Sequence, residues 1–179
     1  MKSLILKAIG LINQLLYPKY PIKTLPHSPI VIAKCGFFQR IIGINRNVAW
    51  PVHRSSQFLA PEKVIPGTRT PGLAHNCFID ARNGVEFGTN VWMAHGVNII
   101  SQNHDNNSFH KYVSSKPIKI GNNCLLGANS TLLPGVELGN HTIVAAGAVV
   151  TKSFLEENQI LVGNPARIGK RIGAYKCAE

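Results

Sequence analysis

The sequence has 179 residues, the length of one domain, and carries 19 Lys and Arg against 8 Asp and Glu, a formal net charge of +11. This charge suggests an anionic partner, but the basic residues form no single run and no nucleic-acid-binding signature is present, so nucleic acid is not expected. The four cysteines, Cys35, Cys77, Cys124 and Cys177, lack the CxxC spacing of zinc sites, which favours buried, reduced thiols in a cytosolic protein.

Residues 1–20 form the first segment, and their aliphatic side chains fall near helical spacing. The apolar run is too short and too interrupted to span a membrane, and no small-residue cleavage site follows it. Two interpretations stay open. The helix packs on the protein or across an oligomer, or it lies on the inner membrane surface. The expected location is therefore cytoplasmic, and peripheral at the inner membrane surface under the second interpretation.

An extended connector follows, because a proline disfavours helix at the residue before it. The prolines that define it are Pro18, Pro21, Pro26 and Pro29. Residues 30–33 and 41–44 are rich in Ile and Val and predict short strands. The irregular stretch 45–71 is interpreted as imperfect early coils of the repeat described next.

Residues 120–151 repeat every six residues. Large aliphatic residues occupy Ile120, Leu126, Leu132, Leu138, Val144 and Val150, and small or β-branched residues follow four positions later at Cys124, Ser130, Val136, Thr142 and Ala148. The residue after each aliphatic is mostly Gly or Ala, which we interpret as permitting a tight or positive-φ corner. A period of six fits neither an amphipathic helix nor a hairpin and is typical of a β-solenoid that turns a corner every six residues.

The same period occurs upstream and then breaks. Phe87, Met93 and Ile99 are six apart, and a second series runs through Ile79, Val85, Val91 and Val97. The register that starts at Ile120 is three residues out of phase with Ile99, so a segment must leave the coil between them. The polar, repeat-free stretch 101–116 is predicted to be this protruding loop. Loops on a rigid scaffold commonly carry catalytic residues.

Four segments resemble the later coils of the hexapeptide-repeat acyltransferases: IGNN at 120–123, LPGV at 133–136, AGAVVTK at 146–152 and GNPAR at 163–167. The resemblance covers residues 76–172 and is closest to the sugar and exopolysaccharide O-acetyltransferases, such as galactoside acetyltransferase. It implies an all-β fold, a left-handed parallel β-helix with an N-terminal helical segment and a protruding loop, an exception to the right-handed crossover rule.

The same resemblance implies a homotrimer in which two chains form each active site. The expected organisation is a helix and connector at 1–29, the β-helix domain with its loop at 30–172, and a tail at 173–179.

The resemblance also implies a catalytic base. His104 matches the family histidine at the start of the loop, and imidazole suits proton removal from an alcohol that attacks a thioester. Asn76 matches a family position that binds the acceptor, and Asp105 is a candidate for orienting it. No role is assigned to the other histidines considered, which are His75, His95, His110 and His141.

Acetyl-CoA is the acyl donor that the resemblance implies, as a substrate and without a metal. Family positions that contact it correspond here to Ala128, Ala146, Thr151, Lys152, Arg167 and Lys170. The backbone N–H near Ala128 is a candidate oxyanion donor. Leu125 departs from the family, which often has a tryptophan there, so a stacking contact at this position is not implied.

The predicted reaction moves an acetyl group from acetyl-CoA to a hydroxyl of a sugar or polysaccharide precursor, so the partner is a small-molecule or glycan acceptor. Acetylation of another small alcohol or amine, such as serine, an antibiotic or an amino-sugar, is the alternative. A γ-type carbonic anhydrase-like zinc protein would need three converging histidines, for which His75, His95, His104 and His110 are available. A non-catalytic scaffold is a further alternative, which His104 disfavours.

Overall fold

The structure is a computed structural model that describes residues 2–18, 20 and 27–176. It begins with α1 (Lys2–Leu16) and α2 (Pro29–Gly36), which continues into a π-helical turn (Phe37–Ile42). A 3₁₀ turn at Pro61–Lys63 lies between the first two strands. The strands are β1 (Gln57–Leu59), β2 (Val64–Ile65), β3 (Phe78–Asp80), β4 (Val85–Phe87), β5 (Trp92–Met93), β6 (Asn98–Ile100), β7 (Asn103–Asp105), β8 (Ser108–Val113), β9 (Ile118–Ile120), β10 (Leu125–Leu126), β11 (Thr131–Leu132), β12 (Glu137–Leu138), β13 (Thr142–Val144), β14 (Val149–Val150), β15 (Gln159–Val162) and β16 (Arg167–Arg171).

Most of these strands form the three faces of a prism. The first face has the order β1-β3-β6-β11-β14, the second β12-β9-β4-β2 and the third β16-β15-β13-β10-β5. Neighbouring strands on the faces are parallel, except that β16 returns antiparallel on β15. The chain visits the faces in turn, which is the coiling of a parallel β-helix, so the predicted fold class is confirmed.

The six-residue repeat fills the interior of this prism. All six aliphatic residues of the repeat, from Ile120 to Val150, are buried, and so are their five smaller partners. Parallel pairing stacks equivalent positions, for example Leu126 beside Val144 and Leu132 beside Val150. The interior is therefore a column of aliphatic side chains, and each coil adds one layer to it.

Close approach of neighbouring coils explains the glycines that follow the aliphatic residues. A Cβ added to Gly127 would lie 2.6 Å from the backbone nitrogen of Ala146, and one added to Gly121 would lie 2.8 Å from that of Asn140. The positive φ angles occur two residues later, as at Asn129. The sequence interpretation was right about a tight corner and wrong in assigning the positive φ to these glycines.

Ile79 was placed in the wrong series. It pairs with Ile99, so it lies in the column of large aliphatics and not in that of Val85 and Val97. The coil that leads from β3 to β6 is longer than three six-residue repeats, because the corner between Asp80 and Val85 contains additional residues. The series of six therefore cannot be counted through this corner.

The predicted loop is confirmed as a departure from the coil. Phe87 pairs with Ile120 and Ile99 with Leu132, so the residues between β6 and β9 lie outside the coils. Within this loop β7 and β8 form an antiparallel hairpin. At its base, the Nδ2 atom of Asn83 donates to the carbonyl oxygen of Ser101 at 2.9 Å.

The two strands predicted at residues 30–33 and 41–44 are wrong. Residues 29–36 form α2 and residues 37–42 form the π-helical turn, which ends at Gly43 with a φ of 91°. Pro29 begins the helix, where its missing N–H costs nothing. Packing against α1 overrides the strand preference of the β-branched residues, because Ile32 and Tyr17 share a small buried cluster.

The early coils are partly confirmed. β1 pairs with β3 and β2 pairs with β4, so residues 57–65 make the first turn of the prism, whereas residues 45–56 make none of its strands. Of the connector, Pro21 and Pro26 lie outside the described residues. No described helix is long and apolar enough to cross a membrane.

Three cysteines are buried free thiols, as predicted: Cys35, Cys77 and Cys124. Burial raises the pKa of the Cys35 and Cys124 thiols to about 11, which keeps them in the unreactive thiol form. Cys177 lies outside the described residues.

The close spacing of the coils predicts that a side chain added at a corner lowers the stability of the fold. Gly127→Ala should lower stability by about 1–3 kcal/mol, because backbone on the next coil must move to accommodate the new Cβ. Thermal unfolding followed by circular dichroism measures this. Gly173→Ala is the matched control, since nothing lies within 4 Å of its added Cβ. Equal melting temperatures for the two variants would contradict the spacing argument.

Candidate functional site

One corner of the prism, here called corner I, joins the third face to the first. Its column of residues is His75, His95, Ala128 and Ala146. The coils are tied together here by backbone hydrogen bonds, from Asn129 N–H to the His95 carbonyl at 3.0 Å and from Gly147 N–H to the Ala128 carbonyl at 2.8 Å. Three predicted site residues, Asn76, Ala128 and Ala146, therefore share this corner.

Corner I offers free backbone donors. Within the described part of the chain, the N–H groups of Ala128 and Ala146 have no hydrogen-bond acceptor, whereas those of Gly127, Asn129 and Gly147 do. Ala146 is exposed and Ala128 is half-buried. Small side chains leave these donors accessible to an extended polar chain, or to an oxygen that becomes negative during a reaction.

The hairpin leaves the opposite end of the first face, at the corner here called corner II. It carries His104, an exposed residue of β7. The Nδ1 atom of His104 lies 2.5 Å from the carbonyl oxygen of Phe109. A carbonyl oxygen only accepts, so Nδ1 must carry the hydrogen and the neutral ring keeps its lone pair on Nε2. His104 is thus held in the tautomer that a general base needs.

Three residues that the repeat pattern does not indicate support His104: Tyr112 on the hairpin, and Arg82 and Asp80 on the prism. Its ring packs at 4.6 Å on the ring of Tyr112, its partner across the hairpin. The Arg82 guanidinium lies 4.7 Å from the Tyr112 ring centroid. Arg82 in turn forms a bidentate pair with the buried carboxylate of Asp80, its Nη2 donating at 2.8 Å. Asp80, Arg82 and Asn83 come directly after Ile79 of the six-residue series, the one signal that could have singled them out.

Asp105 is engaged within the hairpin. Its Oδ1 atom accepts from the N–H groups of Asn107 at 2.8 Å and Ser108 at 3.0 Å, which closes the turn between β7 and β8. The structure thus gives Asp105 a local role in shaping the loop, and its predicted contact with an acceptor stays a prediction.

Asn76 lies in a polar cluster at corner I. It has a φ of 56°, and its N–H donates to the hydroxyl oxygen of Ser55 at 2.9 Å. That hydroxyl also lies 2.8 Å from Nδ1 of His53, whose ring is 4.8 Å from the ring of His75. Burial lowers the pKa of His53, and His75 and Arg54 lower it further. The surface beside Asn76 is therefore polar, and neutral His53 is favoured there.

A mainly apolar cavity of about 430 Å³ adjoins this cluster and is shared by α2, the π-helical turn and the segment that precedes β1. It is lined by Val31, Lys34, Cys35, Phe38, His53 and Arg54. Its cations are Lys34 and Arg54, so a ligand with an apolar part and a negative charge would match the lining.

The other four predicted cofactor residues lie at corner II and along β16. Thr151 and Lys152 follow β14 at corner II, where Lys152 lies over the Phe154 ring. Arg167 begins β16, opposite Val162, and Lys170 lies further along the same strand, opposite Ile160. All four side chains are exposed. Leu125 pairs with Trp92 on the coil before it, and Arg69 covers the Trp92 ring at 3.4 Å.

The predicted site is therefore not assembled within one chain. Asn76, Ala128 and Ala146 lie at corner I, whereas His104 lies on the hairpin at corner II. The strands of the first face separate the two corners, since Asn76 precedes β3 and the hairpin follows β6. A second chain that brings its corner II to this corner I would complete the set.

The histidines do not form a metal site. Among the described residues, no group of three or more His, Cys, Asp and Glu side chains is placed to hold an ion. His75 and His95 stand at corner I, and His104 and His110 are on the hairpin. His141 contacts Asn158 at 2.8 Å on the third corner. Within one chain, these histidines therefore lie in three separate places.

The fold and the repeat define a hexapeptide-repeat parallel β-helix, and comparison with known proteins agrees. The family described as hexapeptide repeat of succinyl-transferase matches residues 117–152. The solved structure of galactoside acetyltransferase in complex with coenzyme A superposes with a TM-score of 0.62 at 23% identity, over 94% of this chain and 82% of that chain. A maltose O-acetyltransferase from Clostridium difficile 630 gives 0.59 at 20% identity, over 94% and 87% of the two chains. At these identities the likeness is one of fold.

Relatives in sequence are acetyltransferases by name. The chain is 31% identical over 101 residues to YJL218W, a candidate acetyltransferase of Saccharomyces cerevisiae, over 55% of this chain and 51% of that protein. It is 33% identical over 84 residues to the candidate acetyltransferase YvoF of Bacillus subtilis, over 47% and 46% of the two chains. The chain thus spans about half the length of these relatives. The resemblance to the hexapeptide-repeat acyltransferases is confirmed.

The contact between His104 and Phe109 predicts a tautomer that can be measured without a substrate. In neutral His104, nitrogen-15 NMR should show hydrogen on Nδ1 and none on Nε2, because the carbonyl oxygen accepts from Nδ1. The spectrum of His104→Gln identifies the signals. His110, for which the structure gives no such carbonyl contact, is the comparison. A His104 ring with hydrogen on Nε2 would contradict the assignment.

Proposed function

We propose that this chain is an acetyltransferase that moves an acetyl group from acetyl-CoA to a hydroxyl of a sugar or polysaccharide precursor, with His104 as general base. The observation that carries the proposal is the contact of His104 Nδ1 with the Phe109 carbonyl oxygen, which leaves Nε2 as a free base on an exposed hairpin. The names of the sequence relatives and the CoA-bound fold neighbour support the reaction class.

The proposed chemistry balances with these groups alone. Nε2 of His104 takes the proton of the acceptor hydroxyl while its oxygen attacks the thioester carbonyl, forming the C–O bond. The negative oxygen of the tetrahedral intermediate accepts a hydrogen bond from a backbone donor, for which the free Ala128 N–H is the candidate. The C–S bond then breaks, and the thiolate of CoA receives the proton from His104. Acetyl-CoA is consumed as a substrate, and the thioester needs no enzyme nucleophile.

The surroundings of corner I match the donor. The unpaired N–H groups of Ala128 and Ala146 suit the amide groups of the pantetheine arm, and small side chains permit its close approach. Arg167 is exposed at the start of β16. The residue before it, Ala166, donates its N–H to the carbonyl oxygen of Val149, on the strand that follows Ala146. Thr151, Lys152 and Lys170 are the further candidates, and the cations suit CoA phosphates.

The acceptor side is proposed at Asn76. Its neighbours Ser55, His53 and His75 offer hydrogen-bonding groups of both kinds, which suits an alcohol-rich ligand such as a sugar. Because Asn76 and His104 stand at different corners, we propose that the active form is a homotrimer, the closed cyclic assembly in which each corner I meets the hairpin of a neighbour.

The base assignment predicts a large loss in His104→Ala. Its kcat/KM for acetyl transfer should fall about 10²–10⁴-fold, because a positioned general base contributes this much. Calorimetric binding of CoA should survive, since the proposed CoA contacts come mainly from other residues, at corner I and along β16. His110→Ala, on the same hairpin, is the control and should stay near wild type. Near-normal turnover by His104→Ala on every acceptor, in a panel of sugars, serine and amines, would remove this residue from catalysis.

The division of the site between corners predicts complementation. Ala146→Trp should block corner I and His104→Ala should disable the hairpin, so each variant alone is inactive. In an equal mixture, about a quarter of all sites should regain activity, one in each mixed trimer, as expected for random assortment in a cyclic trimer. Mixtures of His104→Ala with His104→Gln are the control and should stay inactive. If the first mixture also stays inactive although mixed trimers form, each site lies within one chain.

A further inference from the structure

The N-terminal helix α1 is oriented with its apolar side away from the protein. Leu4, Leu11 and Leu15 are 77%, 64% and 81% exposed, whereas Asn13 is 1% exposed. The spacing of these leucines, together with Ala8, is that of a continuous stripe on one side of a helix. An ordinary surface helix buries such a stripe in the core, so this one is left for a partner.

The opposite side of α1 is fixed by polar contacts. The Nδ2 atom of Asn13 donates to the Pro29 carbonyl oxygen at 2.9 Å, and the hydroxyl of Tyr17 donates to Oε1 of Gln39 at 2.5 Å. The Arg40 Nε atom donates to the Leu16 carbonyl oxygen at 3.2 Å. These contacts hold the stripe outward, and turning it inward would bury leucine only by breaking them.

The second helical segment also exposes apolar side chains. Among the residues of α2, its π-helical turn and the loop after it, the large exposed apolar side chains are Ile30, Val31, Phe37, Ile41, Ile42 and Ile44. The sequence interpretation had assigned most of them to short strands. As parts of helices packed on α1, they belong with the leucines of α1 to one helical unit, here called the N-terminal unit (residues 2–18 and 29–44).

Charge indicates what covers this unit. The first 61 residues contain no Asp or Glu, and they contain eight cations, Lys2, Lys7, Lys19, Lys23, Lys34, Arg40, Arg46 and Arg54. Of these, Lys7, Lys34, Arg46 and Arg54 are exposed in the structure. The ion pairs of the described residues all lie in the β-helix. An apolar stripe bordered by cations without counter-charges is complementary to an anionic lipid surface.

A second copy of the chain fits this unit less well. Leu4, Ala8, Leu11 and Leu15 also match coiled-coil spacing, but they span about two heptads, and stable seams need about three or four. Pairing two such units would also bring their cations together with no acidic residue to offset them.

We propose that the N-terminal unit docks this protein on the surface of an anionic lipid bilayer. The leucines of α1 enter the boundary between headgroups and acyl chains, and the neighbouring cations contact the phosphates. The helix lies in the plane of the interface, since no described helix is long enough to cross. Docking at this face turns the enzyme toward acceptors held at a membrane.

Co-flotation of the full chain with vesicles tests the proposal. Wild type should float with vesicles of equal parts phosphatidylcholine and phosphatidylglycerol, and much less with phosphatidylcholine alone. The variant Leu4→Gln, Leu11→Gln, Leu15→Gln should lose at least about tenfold in binding, because three exposed apolar side chains no longer enter the bilayer. Lys7→Glu should weaken binding at least about fivefold, and added salt should weaken wild type likewise.

Matched controls separate this effect from general changes. Leu155→Gln alters a leucine of the β-helix that is 69% exposed, and Lys176→Glu alters a cation near the other end; both should float like wild type. Failure of wild type to float, or full binding by the triple variant, would overturn the proposal. Sedimentation of all variants is the last test. If the triple variant forms a smaller assembly than wild type, the leucine stripe is a subunit interface instead.

Discussion

The rest of the structure depends on the distance between successive backbones at the corners of the prism. Each coil is hydrogen-bonded to the next along three faces, so successive backbones lie close together at the corners. Gly121, Gly127 and Gly139 lie where an added Cβ would meet backbone of the next coil at less than 3 Å. This constraint aligns the corners into columns. Ala128 and Ala146 take equivalent places in one column, and their N–H groups have no acceptor among the described residues.

The hairpin exploits the same rigidity. It leaves the coil at one corner and returns to it in register, with its base fixed by Asn83 and Ser101 and its side supported by the Asp80–Arg82 pair under Tyr112. His104 is consequently held by a short hairpin that is anchored on a stiff prism. The proposed base gains one tautomer and one position from this arrangement, while its side chain stays exposed to a second molecule.

The sequence allowed the β-helix to be predicted because its core is periodic. Six aliphatic residues at a spacing of six predict the stacked interior, and the change of register before Ile120 predicts the loop. The helical unit at 29–42 has no such period, and its Ile and Val residues favour strand until the packing of Tyr17 and Ile32 is known. Ile79 was misplaced for a related reason, since one wider corner changes the count. The Arg82–Tyr112–His104 stack joins residues distant in sequence, so no local pattern could predict it.

The N-terminal unit and the proposed acceptor side are neighbours, and this relates the two proposals. The cavity of about 430 Å³ is lined by Val31 and Phe38 of the N-terminal unit on one side and by His53 of the Asn76 cluster on the other. The unit that we propose docks on a bilayer therefore also supplies part of the cavity wall. Its lining of apolar groups with Lys34 and Arg54 would suit an acceptor that is attached through phosphate to a lipid. In that case the polar contacts of Asn13, Tyr17 and Arg40, which turn the leucines outward, also join the lipid-facing stripe to the helices that line the cavity.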